Sequence, residues 1–197
     1  MTKNINYIIT CGRYELIIYL LFSLLLFIIF KKESDVPLRG VVFIVHGLGE
    51  HCHRYDRIID FLTCRGMRIY SFDHRGHGRT HHLPENRKQG HKGHIDVDKS
   101  VIMQDIEQLI KRADDDGIPE NIPRFLLGHS LGGLMVIYYA LTHKQIKTLS
   151  GLIGLGKLFK LCSLLLFSTC DWHCETTTCD IEISGSTCSK NNSHFYN

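Results

Sequence analysis

Gly128-His129-Ser130-Leu131-Gly132 stands directly after Arg124-Phe125-Leu126-Leu127 and directly before a long apolar stretch. A short apolar run, a serine between two glycines, and then apolar residues at helical length read as strand, sharp turn and helix. A strand that turns straight into a helix belongs to an alternating β/α layer structure. The turn leaves the serine at the carboxyl end of a buried strand, the edge at which open α/β sheets bind ligands.

The upstream residues repeat the pattern. Val41-Val42-Phe43-Ile44-Val45 is continuous, apolar and rich in β-branched residues, as expected of a central parallel strand buried on both faces. It ends in His46-Gly47-Leu48-Gly49-Glu50, where glycines allow a close turn. Apolar residues at helical spacing follow over 55–64, with Gly66 as a stop. Met67–Phe72 reads as the next strand and feeds Asp73-His74-Arg75-Gly76-His77-Gly78-Arg79-Thr80. Residues 81–96 read as polar loop. Val101, Ile102, Ile106, Leu109 and Ile110 then mark a helix. Phe125-Leu126-Leu127 forms the third strand, the next helix runs from near Ser130 through Leu141, and 149–153 is a candidate fourth strand. The expectation is an α/β, doubly wound, mostly parallel sheet with right-handed crossovers over residues 38–160.

A serine hydroxyl is a weak nucleophile at neutral pH and must be exposed, oriented and deprotonated by a neighbouring base. A strand–turn–helix bend supplies the first two conditions. The N–H groups of the helix's first turn have no intrahelical acceptor and point at the reaction centre. Ser130 is therefore the candidate nucleophile. The Leu131 N–H is one candidate oxyanion donor, and the Leu48 N–H, after the first strand, is the second.

Taken together, His46-Gly47-Leu48-Gly49-Glu50-His51, Phe72-Asp73-His74-Arg75-Gly76-His77-Gly78 and Gly128-His129-Ser130-Leu131-Gly132-Gly133 resemble the monoacylglycerol lipases and related lysophospholipase-like serine hydrolases of the α/β-hydrolase superfamily. Arg54-Tyr55 and Gly93-His94 add to the likeness, which covers about 38–153. It implies hydrolysis of monoacylglycerol or lysophospholipid esters through an acyl-enzyme on Ser130, with Leu48 and Leu131 as oxyanion donors, no cofactor, and work at membrane surfaces. Members place the acid and base of the triad a hundred or more residues beyond the serine, whereas 67 follow it here. The chain is thus expected to represent the N-terminal part of such a domain, with an incomplete sheet. Asp171, Glu175, Asp180 and Glu182 are the acids beyond Ser130, and His143, His173 and His194 the histidines. Asp180 with His194 keeps the order of the triad, but no strand pattern holds either. His129 is expected to turn away from the hydroxyl as a packed, hydrogen-bonded residue.

Leu, Ile and Phe dominate the uncharged run 16–30. As a helix, fifteen residues reach about 22 Å against about 30 Å of hydrocarbon. With Tyr14 and snorkelling Lys31-Lys32, residues 14–32 read as a marginal transmembrane helix within an N-terminal segment 1–35. This apolar helix would precede the sheet and place the protein at a membrane. A secretory signal and a buried or interfacial helix are the alternatives. Lys3 and Arg13 balance Lys31 and Lys32, so orientation stays open.

A net charge of +3 without a basic, aromatic-interleaved patch argues against nucleic acid. Nine of the thirteen histidines fall at 46, 51, 53, 74, 77, 81, 82, 91 and 94. No H-E-x-x-H is among them, and His46, His74 and His77 are expected to shape loops rather than hold metal. Asp73 and Arg75 read as a structural ion pair or loop hydrogen bonds. Cys170, Cys174, Cys179 and Cys188 crowd a Cys/Ser/Thr-rich tail over 161–197 without zinc-site spacing. Two further readings stand beside the enzyme: a catalytically dead, membrane-tethered pseudo-hydrolase that retains an acyl pocket, and a non-functional product. Oligomeric state is left open.

Overall fold

Val41, Phe43 and Val45 project from one side of strand β4 (Gly40–Val45) and Val42 and Ile44 from the other, and all five are buried. That double burial is why the run shows no polar alternation. In this computed structural model, residues 5–11, 14–20, 26–31, 36–83, 93, 98–143 and 148–156 are described. β4 lies inside a seven-stranded sheet formed with β1 (Ile5–Cys11), β2 (Tyr14–Leu20), β3 (Leu26–Lys31), β5 (Met67–Phe72), β6 (Arg124–His129) and β7 (Gly151–Leu155). The strand order is β1-β2-β3-β5-β4-β6-β7. β5, β4, β6 and β7 run parallel, and β3, β2 and β1 continue the sheet antiparallel beyond β5.

Helices cover both faces. On one side α3 (Lys99–Asp115) and α4 (Leu131–Thr142) bury Ile106, Leu109, Val136 and Tyr139 against Val41, Phe43, Tyr70 and Leu126. On the other, α1 (Asp56–Thr63) sets Ile59 against Ile28, Val42, Ile69 and Leu127. A 3-10 turn, Cys52–Tyr55, leads into α1, and a single helical turn, α2 (Gly78–His81), follows β5. The Asp98 carboxylate caps α3 by accepting from the Ser100 N–H at 2.8 Å.

The N-terminal expectation is corrected. Tyr14–Leu20 and Leu26–Lys31 are strands, paired antiparallel with Leu16 opposite Phe30 and Ile18 opposite Ile28. Among the described residues no helix is long and apolar enough to cross a membrane, which overturns the transmembrane helix over 14–32 and the membrane location drawn from it. The reason is physical. β3 pairs with β5, and its Ile28 and Ile29 are buried in the clusters on opposite faces of the sheet. A strand covered on both faces reads as an uninterrupted apolar run, as a membrane helix does. β-Branched Ile17, Ile18, Ile28 and Ile29 with aromatic Tyr19, Phe27 and Phe30 favour the strand. The same strands supply the antiparallel edge that the sequence reading left unfinished.

Candidate active site

Strand β6 and helix α4 meet at Ser130 with φ 51° and ψ −117°, and Ser130 is the one non-glycine at positive φ among the described residues. A residue bearing a β-carbon takes up that conformation only where its surroundings impose it. The flanking glycines show how. A β-carbon on Gly128 would strike the Gly132 backbone, and one on Gly132 would strike the Val45 carbonyl. α4 therefore presses onto the ends of β4 and β6, and the chain can enter it only through a tight bend. The Ser130 N–H donates to the Leu155 carbonyl at 2.8 Å, which ties the bend to β7. The Ser130 carbonyl accepts from Gly133 N–H at 3.0 Å and begins the helical ladder. Leu131 is the first helical residue, so its N–H has no acceptor within the helix.

The turn after β4 lies directly against this bend. A β-carbon on Gly47 would sit 3.1 Å from the His129 carbonyl oxygen and 3.2 Å from Ser130 Cβ. Ser130 and the turn that carries Leu48 are thus brought together. The Leu48 side chain is 57% exposed at the rim.

Three buried histidines hold that turn by its backbone. His46 Nε2 accepts from the His74 N–H at 2.9 Å, so its Nδ1 carries the proton and donates to the Gly47 carbonyl at 2.7 Å. His74 Nε2–H donates to the His46 carbonyl at 3.0 Å. His77 Nε2 accepts from the Gly49 N–H at 3.0 Å, and its Nδ1–H donates to the Arg75 carbonyl at 3.2 Å. Burial lowers His46 to about 4, against the opposing pull of the Gly47 carbonyl and Asp73, and burial with the nearby His46 holds His74 well below the ordinary value. Both are neutral at physiological pH. The ring nitrogens named here are engaged with backbone groups, and among the described residues no cluster of three or more His, Cys, Asp or Glu is placed to hold a metal.

Asp73 and Arg75 do not pair with each other. Asp73 accepts from the Cys52 N–H at 2.8 Å and the Arg79 N–H at 2.7 Å, fastening the β5 loop to the start of the 3-10 turn. Arg75 reaches α3 instead, where Nε and Nη2 grip the buried Asp105 carboxylate at 3.1 and 3.0 Å.

His129 is hydrogen-bonded, donating through Nδ1 to Glu50 Oε2 at 3.0 Å. Glu50 is the residue that the sequence reading missed as part of the site. Its Oε2 also accepts from the Gly47 N–H at 3.0 Å and the Tyr55 O–H at 2.6 Å, while Oε1 pairs with Arg54 Nε at 3.1 Å. Burial pushes the carboxyl upward, but the hydrogen bonds from Tyr55, Gly47 and His129 outweigh it and hold the group below its ordinary value. The available signal was the spacing Gly47-x-x-Glu50-x-x-x-Arg54-Tyr55, an acid next to a candidate oxyanion turn.

His143 closes α4, stacked on Tyr139 at 4.6 Å. The length of that helix sets it about 20 Å from Ser130, out of reach as a base. Asp171, Glu175, Asp180, Glu182, His173 and His194 lie outside the described residues, as does the tail over 161–197.

The sequence profile of the serine aminopeptidase S33 hydrolases matches residues 36–173. The chain is 36% identical over 105 residues to a monoacylglycerol lipase of Mycolicibacterium smegmatis, an alignment covering 53% of this chain and 34% of that protein. It is 36% identical over 115 residues to a monoglyceride lipase of Rattus norvegicus, covering 58% of this chain and 34% of that one. The chain thus spans about a third of the length of these relatives. Among solved structures, a carboxyl esterase of Bacillus coagulans in complex with glycerol superposes with a TM-score of 0.58 at 27% identity, over 73% of this chain and 44% of that one. A soluble variant of monoglyceride lipase from Saccharomyces cerevisiae gives 0.56 at 26%, over 78% and 44%.

Proposed function

Since the chain belongs to the serine aminopeptidase S33 family of α/β-hydrolases, we propose that it is a serine hydrolase of carboxylic esters, with monoacylglycerols or lysophospholipids as the substrate class. The observation that carries this reading is the strained Ser130 bend with the Gly47 turn packed against it. Relatives at 36% identity that bear the names monoacylglycerol lipase and monoglyceride lipase support the choice of ester.

In this reading the Ser130 hydroxyl loses its proton to a base and attacks the ester carbonyl. The tetrahedral oxyanion is held by the Leu48 and Leu131 N–H groups, each worth about 3 kcal/mol of transition-state stabilisation. Collapse of the intermediate expels the alcohol, glycerol or its phosphodiester, which takes up a proton and leaves an acyl group on Ser130 Oγ. Water then attacks the acyl-enzyme, releasing the fatty acid and restoring the hydroxyl. The base and its acid partner come from outside the described residues, and no cofactor takes part in any step.

The test is release of fatty acid from a monoacylglycerol and from a lysophosphatidylcholine, with Ser130→Ala beside the unaltered protein. Hydrolysis of either ester that vanishes in Ser130→Ala supports the reading, and the faster substrate fixes the head group. No hydrolysis of either, or equal hydrolysis by both proteins, rejects it.

A further inference from the structure

We propose that Glu50 is a positioning residue for the oxyanion turn: its buried carboxylate clamps Gly47 to the residue preceding Ser130 and so fixes where the Leu48 N–H points. This rests on Ser130 acting as the nucleophile. It adds a residue that touches neither substrate nor hydroxyl.

One oxygen joins three parts of the fold. Glu50 Oε2 takes the Gly47 N–H from the turn after β4, the His129 Nδ1–H from the end of β6, and the Tyr55 O–H from the turn before α1. The carbonyl side of Gly47 is held as well, accepting from His46 Nδ1 at 2.7 Å and from the Glu50 N–H at 3.3 Å. The Gly47 carbonyl and the Leu48 N–H belong to one planar, trans peptide unit and point in opposite directions. Pinning the carbonyl therefore sets the direction of the N–H. Glycine would otherwise let this peptide swing through orientations closed to other residues. With both polar groups of Gly47 engaged, the donor is aimed before any substrate arrives, which is the condition for preorganised stabilisation of an oxyanion.

Fold stability alone gives a weak reason for such a group. Burying a carboxylate costs several kcal/mol per ion, and apolar residues of similar volume stabilise a core at least as well. Four donors from the chain converge on Glu50, and two of them are set within one residue of the candidate machinery: the Gly47 N–H next to Leu48 and the His129 ring next to Ser130.

The experiment compares the unaltered chain with Glu50→Ala and Glu50→Gln by amide hydrogen exchange and by the kinetics of labelling with a fluorophosphonate. In Glu50→Ala the Gly47 amide is expected to exchange about tenfold faster or more, while Ile69 and Tyr70 in β5 keep their protection. The maximal labelling rate is expected to fall about a hundredfold with little change in the concentration for half-maximal rate, because the loss lies in orientation of a donor and not in probe binding. Glu50→Gln keeps one acceptor oxygen and is expected to fall between, and it carries the comparison if Glu50→Ala does not fold. Unchanged exchange at Gly47 overturns the proposal. So does loss of protection spread evenly through β5, which would make Glu50 a general stabiliser. If the unaltered chain takes no label, the reading of Ser130 falls, while the exchange result still decides whether Glu50 holds the turn.

Discussion

Acid should loosen this protein through its buried histidines. His46 is fully buried, accepts from a backbone N–H on Nε2 and donates from Nδ1, so a second ring proton would face a donor. Its folded-state value is lowered from 6.5 to about 4. A base depressed on folding contributes stability that is complete above its unfolded value and is lost as pH falls toward the folded one, because only the unfolded chain takes up the proton. Across that window each pH unit costs about 1.4 kcal/mol, so moving from about pH 7.5 to about pH 5 removes about 2 kcal/mol through His46 alone. His74 shifts in the same direction and adds to the loss. Glu50 does not contribute in this window, since its folded value lies below 4.5 and its contribution is lost only as pH falls through that lower value. The assay is urea unfolding at the two pH values for the unaltered chain and His46→Asn, which keeps a donor toward Gly47 but cannot titrate. The difference in stability between the two pH values should be smaller in His46→Asn by about 2 kcal/mol. An identical pH dependence in both proteins would refute the assignment of His46 as a neutral, doubly hydrogen-bonded ring.

Ser130→Gly should raise stability by about 1 kcal/mol, the relief of strain at φ 51° less the entropy glycine adds to the unfolded chain, whereas Ser130→Ala should not; a Ser130→Gly protein with a lower urea midpoint contradicts this. Gly132→Ala places a methyl on the Val45 carbonyl and should cost about 3 kcal/mol, with a thermal melt unchanged from the original as the contrary result. Arg75→Lys loses the two-pronged grip on buried Asp105 and should cost about 2 kcal/mol, recovered in part by adding Asp105→Asn; a double variant no more stable than the single would argue against the pair.

The parts of the fold legible in the sequence were those whose local signal has one physical solution. Gly128 and Gly132 around Ser130 admit only a close strand–helix contact, and a β-carbon at either position collides with backbone. The Val41-Val42-Phe43-Ile44-Val45 run became a strand buried on both faces, as read. The run 16–30 carried the same signal and was read as a helix, because burial on both faces erases the alternation that separates strand from helix. Its partner, β5, lies some forty residues further along the chain, and no local pattern announces that pairing. The site divides in the same way. The bend at Ser130 and the turn after His46 were legible because both are local. Glu50 was not, because its partners include His129, 79 positions away, and a Gly47 amide that reaches it only in the folded turn.

The most direct measurement of the central claim is the site of fluorophosphonate modification, read by mass spectrometry of the tryptic peptide over residues 125–144, in which Ser130 is the sole serine. A Ser130 presented at the bend beside two oxyanion donors and served by a base yields one phosphonyl adduct on that peptide, absent from Ser130→Ala. An unmodified peptide from folded protein, under conditions that fully label a known serine esterase, would contradict the account.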